Sequence, residues 1–145
     1  MMKKFELMTE SKMNVFGKTL FRIRALVDFS FVKAGDVGGW IEEEGNLSQS
    51  GNAWVYGNAR VSGNAEVCGN DDYTTIKGFG TCFRTTTFFR CKDKTVKVAC
   101  GCFLGTIAEF RKQVKRTRSG KIAKEYLMIA DLMEMHFKEG EDEQY

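Results

Sequence analysis

Hydrophobic and polar residues repeat with a six-residue period between Gly45 and Asn70. Gly-Asn pairs recur at positions 45–46, 51–52, 57–58, 63–64 and 69–70, and a small or apolar residue follows most of them. A period of six fits neither an α-helix nor a plain hairpin. In a parallel β-helix, by contrast, each hexad supplies one short strand and one corner. The Gly-Asn pair suits a corner because both residues tolerate positive φ.

The repeat also predicts which side chains are buried. Val55, Val61 and Val67 are expected to point inward, with an alanine in the tight position beside each. The variable positions are expected to be exposed: Trp54, Tyr56, Arg60, Ser62, Glu66 and Cys68. A solenoid this short leaves apolar edges uncovered, so the pattern predicts a homo-oligomer assembled through the coil faces.

The residues before the repeats have a less regular pattern. Residues 1–19 are expected to form an edge strand or a cap, and the alternation that begins at Leu20 is typical of a strand. The segment Leu20–Gln49 is then expected to form irregular coils of the same β-helix. Residues 1–70 are therefore predicted to be an N-terminal cap followed by a short hexapeptide-repeat β-helix.

After Asn70 the period changes. Residues 83–91 and 95–102 alternate as two strands of a hairpin, and Thr106 with Glu109 forms a capping box that begins a helix. A second helix is predicted from about Ile122 to Phe137. The fold class is therefore mainly β, with a small α+β domain over residues 71–137 and an acidic tail over residues 138–145.

Composition and charge restrict the setting. No apolar run approaches the roughly 20 residues of a membrane span, and the N-terminus lacks the apolar stretch of a signal peptide. The five cysteines are an odd number, which favours reduced thiols and a cytoplasmic protein that is not attached to a membrane.

Between Glu109 and Lys124 lie seven basic residues against the single acid Glu109. Such a segment forms either a solvated outer face or an anion site assisted by residues of the preceding hairpin. Aromatic side chains expected to be exposed, Trp54, Tyr56, Tyr73 and Phe88, would stack a base. The candidate ligand-binding residues are Trp54, Tyr56, Arg84, Thr86, Arg90, Lys112, Lys115, Arg116, Arg118 and Lys121. A small anionic nucleotide or a protein partner fits this set better than extended nucleic acid, because the sequence contains no known nucleic-acid-binding motif.

Catalytic and metal chemistry find weaker support. The single histidine, His136, lies in the last helix and outside the repeats, so no general base is available there and no catalytic residue is predicted. A zinc site made of Cys82, Cys91, Cys100 and Cys102 is a minor alternative to free, packed thiols, because their spacing matches no CxxC motif. No cofactor is predicted.

Nearly the whole chain resembles a family of phage- and prophage-encoded hexapeptide-repeat proteins. The resemblance is carried by GGWIEEEGNLSQSGNAWVYGNARVSGNAEV and by the later runs TTTFFRCKD, VKVACGCFLGTIAEF and AKEYLMIADL. More distantly, the repeats resemble the left-handed β-helix of the hexapeptide acyltransferases. The resemblance implies a left-handed coil, a viral origin and a host-cytoplasm setting, without a catalytic motif to transfer.

The sequence therefore predicts a non-enzymatic, phage-encoded binding protein with a counter-defence role. It would sequester a nucleotide immune signal or block a host defence effector such as a CRISPR complex. Two alternatives remain open at this point, an acyltransferase-like enzyme and a structural component of the virion.

Overall fold

A computed structural model describes residues 3–138 and contains two four-stranded sheets followed by two helices. The first sheet consists of β1 (Phe5–Val15), β2 (Lys18–Ala25), β3 (Val37–Ile41) and β4 (Arg60–Val61). The second sheet consists of β5 (Tyr73–Phe79), β6 (Arg84–Arg90), β7 (Val96–Cys100) and β8 (Phe103–Thr106). The helices are α1 (Ile107–Thr117) and α2 (Gly120–His136). In each sheet the strands are neighbours in chain order.

The first sheet is mixed. β1 and β2 form an antiparallel hairpin in which Val15 pairs with Lys18. Its two turn residues, Phe16 and Gly17, have φ values of 59° and 71°, as a tight turn that follows the strand twist requires. β3 joins β2 antiparallel, and β4 joins β3 parallel.

The predicted β-helix is wrong. Of the repeat segment only Arg60–Val61 forms a strand, and residues 3–138 contain two separate sheets rather than a solenoid. The repeats pack against β3 instead of stacking on many further coils, with Gly39 N donating to Val55 O at 2.7 Å. A Cβ at Gly39 would lie 2.7 Å from Ala59 O, so glycine allows this close approach. With so few hexads, the antiparallel β1–β2–β3 unit covers the core that further coils would otherwise bury.

The burial of the repeats agrees with the sequence pattern at the valine positions. Val55, Val61 and Val67 are fully buried in one core. Trp54 was expected to be exposed, yet it is only 2 % exposed. Its ring lies edge-on to Phe29, with the ring centroids 5.4 Å apart. Ser62, also expected at the surface, is buried as well. The ring partners of Trp54 lie outside the repeat, so its period cannot reveal them.

The second sheet is an antiparallel meander that lies between the repeat segment and the helices. Phe89 of β6 packs in the core of the repeats, whereas Phe88 packs in the second core with the helices. The predicted hairpin corresponds to β6 and β7, and Thr86 pairs with Cys100 in it. The outer strands β5 and β8 were not predicted.

The helices begin close to the predicted positions. The Thr106 side chain accepts a hydrogen bond from Glu109 N, and Glu109 in turn accepts from Thr106 N at 2.8 Å, which confirms the capping box. α2 begins two residues earlier than predicted, at Gly120. The acidic part of the tail, residues 139–145, lies outside the described residues. Within residues 3–138, no helix has the length and hydropathy needed to cross a membrane.

Candidate functional site

Two hairpin tips meet at one end of the second sheet, and Arg84 lies between them. The tip that joins β5 to β6 contains Cys82 and Phe83, and the tip that joins β7 to β8 contains Gly101. Gly101 has a φ of 60°, and a Cβ at this position would overlap Nη1 of Arg84. The guanidinium group therefore lies directly over the Gly101 backbone, which holds it in a defined position.

A first cleft, here called the helix-side cleft, separates this end of the sheet from the helical hairpin. Its volume is about 370 Å³, and Arg84 and Arg118 supply its two cationic groups. The remaining lining combines apolar and neutral polar side chains: Cys100, Cys102, Phe103, Leu104, Phe110, Gln113, Val114, Thr117 and Tyr126. A cleft with two cations and an aromatic wall suits an anion that carries a ring.

A second cleft, here called the sheet-side cleft, lies on the other side of Arg84, where the two sheets meet. Its volume is about 310 Å³. Four of the lining residues are cations: Arg22, Arg60, Lys77 and Arg84. The others are Met13, Trp40, Asn58, Phe83 and Thr85. Neither set of described lining residues includes an aspartate or a glutamate.

The cations of the two clefts have no carboxylate partner within residues 3–138, whereas some other cations of the protein do. Arg24 pairs with Glu6, and Arg111 pairs with Asp131 at 2.9 Å. Within residues 3–138, the cleft cations have no carboxylate oxygen within 4.0 Å: Arg22, Arg60, Lys77, Arg84 and Arg118. Five unneutralised positive charges around two clefts create a positive potential that attracts anions.

The field of Arg84 also acts on the neighbouring cysteine. A hydrogen bond from Arg84 is the largest cause that lowers the pKa of the exposed Cys82 thiol, followed by a hydrogen bond from Thr81. The charge of Arg118 lowers the same pKa further. Burial has the opposite effect on Tyr126 in the helix-side cleft, where it raises the pKa and keeps the hydroxyl protonated as a donor.

The structure brings together only part of the predicted ligand-binding set. Arg84 and Arg118 share the helix-side cleft. Thr86 is buried beneath it and donates to Cys100 Sγ at 3.2 Å. Arg90 lies at the far end of β6, where it pairs with Asp72 at 3.2 Å and stacks over Phe137.

The other predicted residues line neither cleft. Four lie exposed on the helical hairpin outside both clefts: Lys112, Lys115, Arg116 and Lys121. Tyr56 is exposed elsewhere on the surface, and the buried Trp54 cannot stack a base. The basic face of α1 is exposed, and whether it binds an anion stays a prediction.

Sequence reasoning missed most of the sheet-side cleft. Arg22 pairs in register with Trp40, and Trp40 pairs with Arg60, so the three side chains lie in a row across β2, β3 and β4. The alternation on β2 indicates that Arg22 lies on its outer face. Its neighbours in the row depend on strand register, which no local pattern reveals.

The four candidate zinc ligands do not converge. Cys91 is buried next to the turn between β6 and β7, whereas Cys100 lies at the opposite end of that hairpin. Cys82 and Cys102 are exposed. A search of residues 3–138 finds no group of three or more histidine, cysteine, aspartate or glutamate side chains placed to hold a metal ion.

Comparison with known proteins finds no family model that matches the chain and no curated protein that matches it. The resemblance to phage-encoded hexapeptide-repeat proteins therefore stays a prediction.

Proposed function

We propose that this protein is a non-enzymatic binding protein for a small phosphorylated ligand of the nucleotide class, held in the helix-side cleft. The observation that carries the proposal is the pair of cations, Arg84 and Arg118, which lack a carboxylate partner among residues 3–138 and face an aromatic wall. Guanidinium groups bind phosphate in a bidentate manner, and such charge-assisted bonds are about twice as strong as neutral ones.

Each part of the cleft has a role in this proposal. Arg84, held over Gly101, binds the phosphate, and Arg118 adds a second positive charge. The protonated hydroxyl of Tyr126 donates a further hydrogen bond. The half-buried ring of Phe103, packed 5.8 Å from the buried ring of Phe110, provides the apolar surface for the base. Binding of this kind needs no general base.

The biological role follows from the sequence rather than from the clefts. We propose that the protein acts in a phage-infected host cell and lowers the concentration of a nucleotide defence signal by sequestering it. If the target is a protein instead of a nucleotide, this protein would block a defence effector such as a CRISPR complex. The acyltransferase alternative assumed β-helix coils, and the observed sheets do not provide them.

Native mass spectrometry of the protein purified from bacterial lysate tests the ligand, followed by calorimetry with AMP, ADP, GMP and inorganic phosphate. A small mass that denaturation releases, together with nucleotide binding in the micromolar range, would support the proposal. Absence of a released mass and of nucleotide binding at about 1 mM would contradict it. A pull-down from a host that carries defence systems would then test the protein target.

We also propose that the chain forms a homodimer through α2 rather than through coil faces. Met128, Leu132 and Met135 are 70 %, 52 % and 68 % exposed and form one stripe at i, i+4 and i+7. The N-terminal half of α2 carries Lys121, Lys124 and Glu125, and its C-terminal half carries Asp131 and Glu134, which also pair with Arg111 of α1. Antiparallel packing of two α2 helices therefore brings opposite charges together and covers the stripe.

Sedimentation velocity over a range of concentrations tests this dimer. Three side chains bury less area than a standard interface of roughly 800 Å² per partner, so we expect a concentration-dependent dimer. Leu132→Glu should give a monomer at every concentration, because it places a charge in the centre of the stripe. Lys112→Glu on α1 is the matched control and should leave the dimer intact. A wild-type protein that stays monomeric at about 1 mM would disprove the dimer.

A further inference from the structure

The sheet-side cleft is not used by the proposed function, although its side chains have the chemistry of a second nucleotide site. Arg22, Trp40 and Arg60 lie side by side in the register of the first sheet. Neighbouring strands are about 4.8 Å apart, so the backbones of Arg22 and Arg60 lie roughly 10 Å from each other, and that of Trp40 lies between them. The Arg22 guanidinium lies over the Trp40 ring, so a base would stack on this guanidinium–indole pair while neighbouring cations hold its phosphates, as in single-stranded nucleotide sites.

The row is held rigidly. The Arg22 guanidinium lies 4.4 Å from the centroid of the Trp40 ring and donates to Gly38 O at 2.9 Å and to Asn58 Oδ1 at 3.0 Å. Because these bonds fix the guanidinium group, little side-chain entropy is left to lose when an anion binds.

Arg60 connects this cleft to the helix-side cleft. Its Nη1 donates to Gly101 O at 3.1 Å, and Gly101 is the residue over which Arg84 lies. Arg60 and Arg84 are therefore neighbours at the same hairpin tip, and Arg84 lines both clefts. If a phosphate binds at Arg84, the next nucleotide unit of the same ligand still lies on the positively charged surface.

The opposite wall adds a second exposed ring and a free cation. Phe83 is 64 % exposed and has a φ of 51°, which is uncommon for a bulky side chain. Lys77 is exposed and has no hydrogen-bond or ion-pair partner among residues 3–138. This wall thus offers an aromatic surface and a positive charge that no internal contact uses.

We propose that the sheet-side cleft binds a second phosphate-and-base unit, so that the ligand is a dinucleotide that lies across both clefts with a phosphate at Arg84. This inference rests on the proposed function and specifies its ligand. Each cleft alone lies near the lower end of ligand-site volumes, roughly 300 Å³, whereas the two together reach the middle of that range.

Calorimetry with three probes tests the size of the ligand: AMP, the 5′-phosphorylated dinucleotide pApA, and the decamer dA10. We expect pApA to bind at least ten-fold more tightly than AMP, and dA10 to bind no more tightly than pApA. Lys77→Gln and Trp40→Leu should each weaken pApA binding at least five-fold and leave AMP binding unchanged. Lys112→Gln, outside both clefts, is the control and should change neither affinity.

The outcomes separate this inference from the proposed function. If AMP and pApA bind equally well, or if Lys77→Gln and Trp40→Leu weaken both equally, the dinucleotide is excluded while the nucleotide site stands. If dA10 binds more than ten-fold more tightly than pApA, the occupant is a longer single strand and the dinucleotide is again excluded. If none of the probes binds, both proposals fail.

Discussion

Replacing Arg84 with glutamine is expected to weaken AMP binding by about 100-fold, which corresponds to about 2.8 kcal/mol. Arg84 is the one cation that lines both clefts, and it lacks a carboxylate partner within residues 3–138. The change removes the positive charge and the bidentate fork and leaves a shorter, neutral polar side chain. Calorimetry with AMP measures the loss. Arg84→Lys should show an intermediate loss, because the charge remains and the fork does not.

The reactivity of Cys82 provides an independent measure of the same change. Arg84 lowers the pKa of this thiol, so removing Arg84 raises it and reduces the thiolate fraction near pH 7.5. Alkylation of Cys82, followed by mass spectrometry, should therefore shift to higher pH in Arg84→Gln. Lys115→Gln, on the exposed face of α1, is the control for both measurements. Equal AMP affinity in Arg84→Gln and wild type would exclude Arg84 from the site.

Replacing Asn46 with alanine is expected to lower the free energy of unfolding by about 4 kcal/mol. The Asn46 side chain is 1 % exposed and makes four hydrogen bonds to the backbone. Its Oδ1 accepts from Glu42 N at 3.1 Å and Glu43 N at 2.9 Å, and its Nδ2 donates to Gly63 O at 3.0 Å and Ala65 O at 3.1 Å. Alanine leaves these backbone groups without their partner, and denaturation by urea measures the cost.

Asn52→Ala is the matched control, since Asn52 holds the same position in the next repeat. Its side chain is exposed and makes no hydrogen bond within residues 3–138, so the change should alter stability by less than about 0.5 kcal/mol. Equal losses in the two variants would show that the asparagine acts through the corner conformation alone. A loss below about 1 kcal/mol for Asn46→Ala would contradict the bridging role.

The α-helical hairpin was predictable because its signals are local. The capping box joins Thr106 to Glu109, only three residues away, and the buried stripe of α2 follows the helical period. The alternation around Thr86 likewise predicted the hairpin of β6 and β7. Each of these features depends on side chains that are a few residues apart in the sequence, or on the short turn that joins two neighbouring strands.

The architecture of the N-terminal half was not predictable from the repeat. The hexads predict that Val55, Val61 and Val67 point inward, and all three are buried. The six-residue period would bury them in any fold that packs this face of the repeats against a core. The contact of Gly39 with the backbone at Ala59 decides that the repeats pack on an antiparallel unit. The same unit supplies the ring that buries Trp54, which is why its predicted exposure is wrong.

The sequence by itself determined the local elements of the second half, the inward valines of the repeats and the cluster of basic residues that follows Glu109. Only the tertiary structure decided which charges meet. Arg22 and Arg60 are 38 positions apart in the sequence, yet both pair in register with Trp40. Arg84 and Arg60 come near each other because both lie against Gly101. Periodicity reports the face of a strand on which a residue lies, whereas a binding site depends on strand register and sheet packing over long sequence separations.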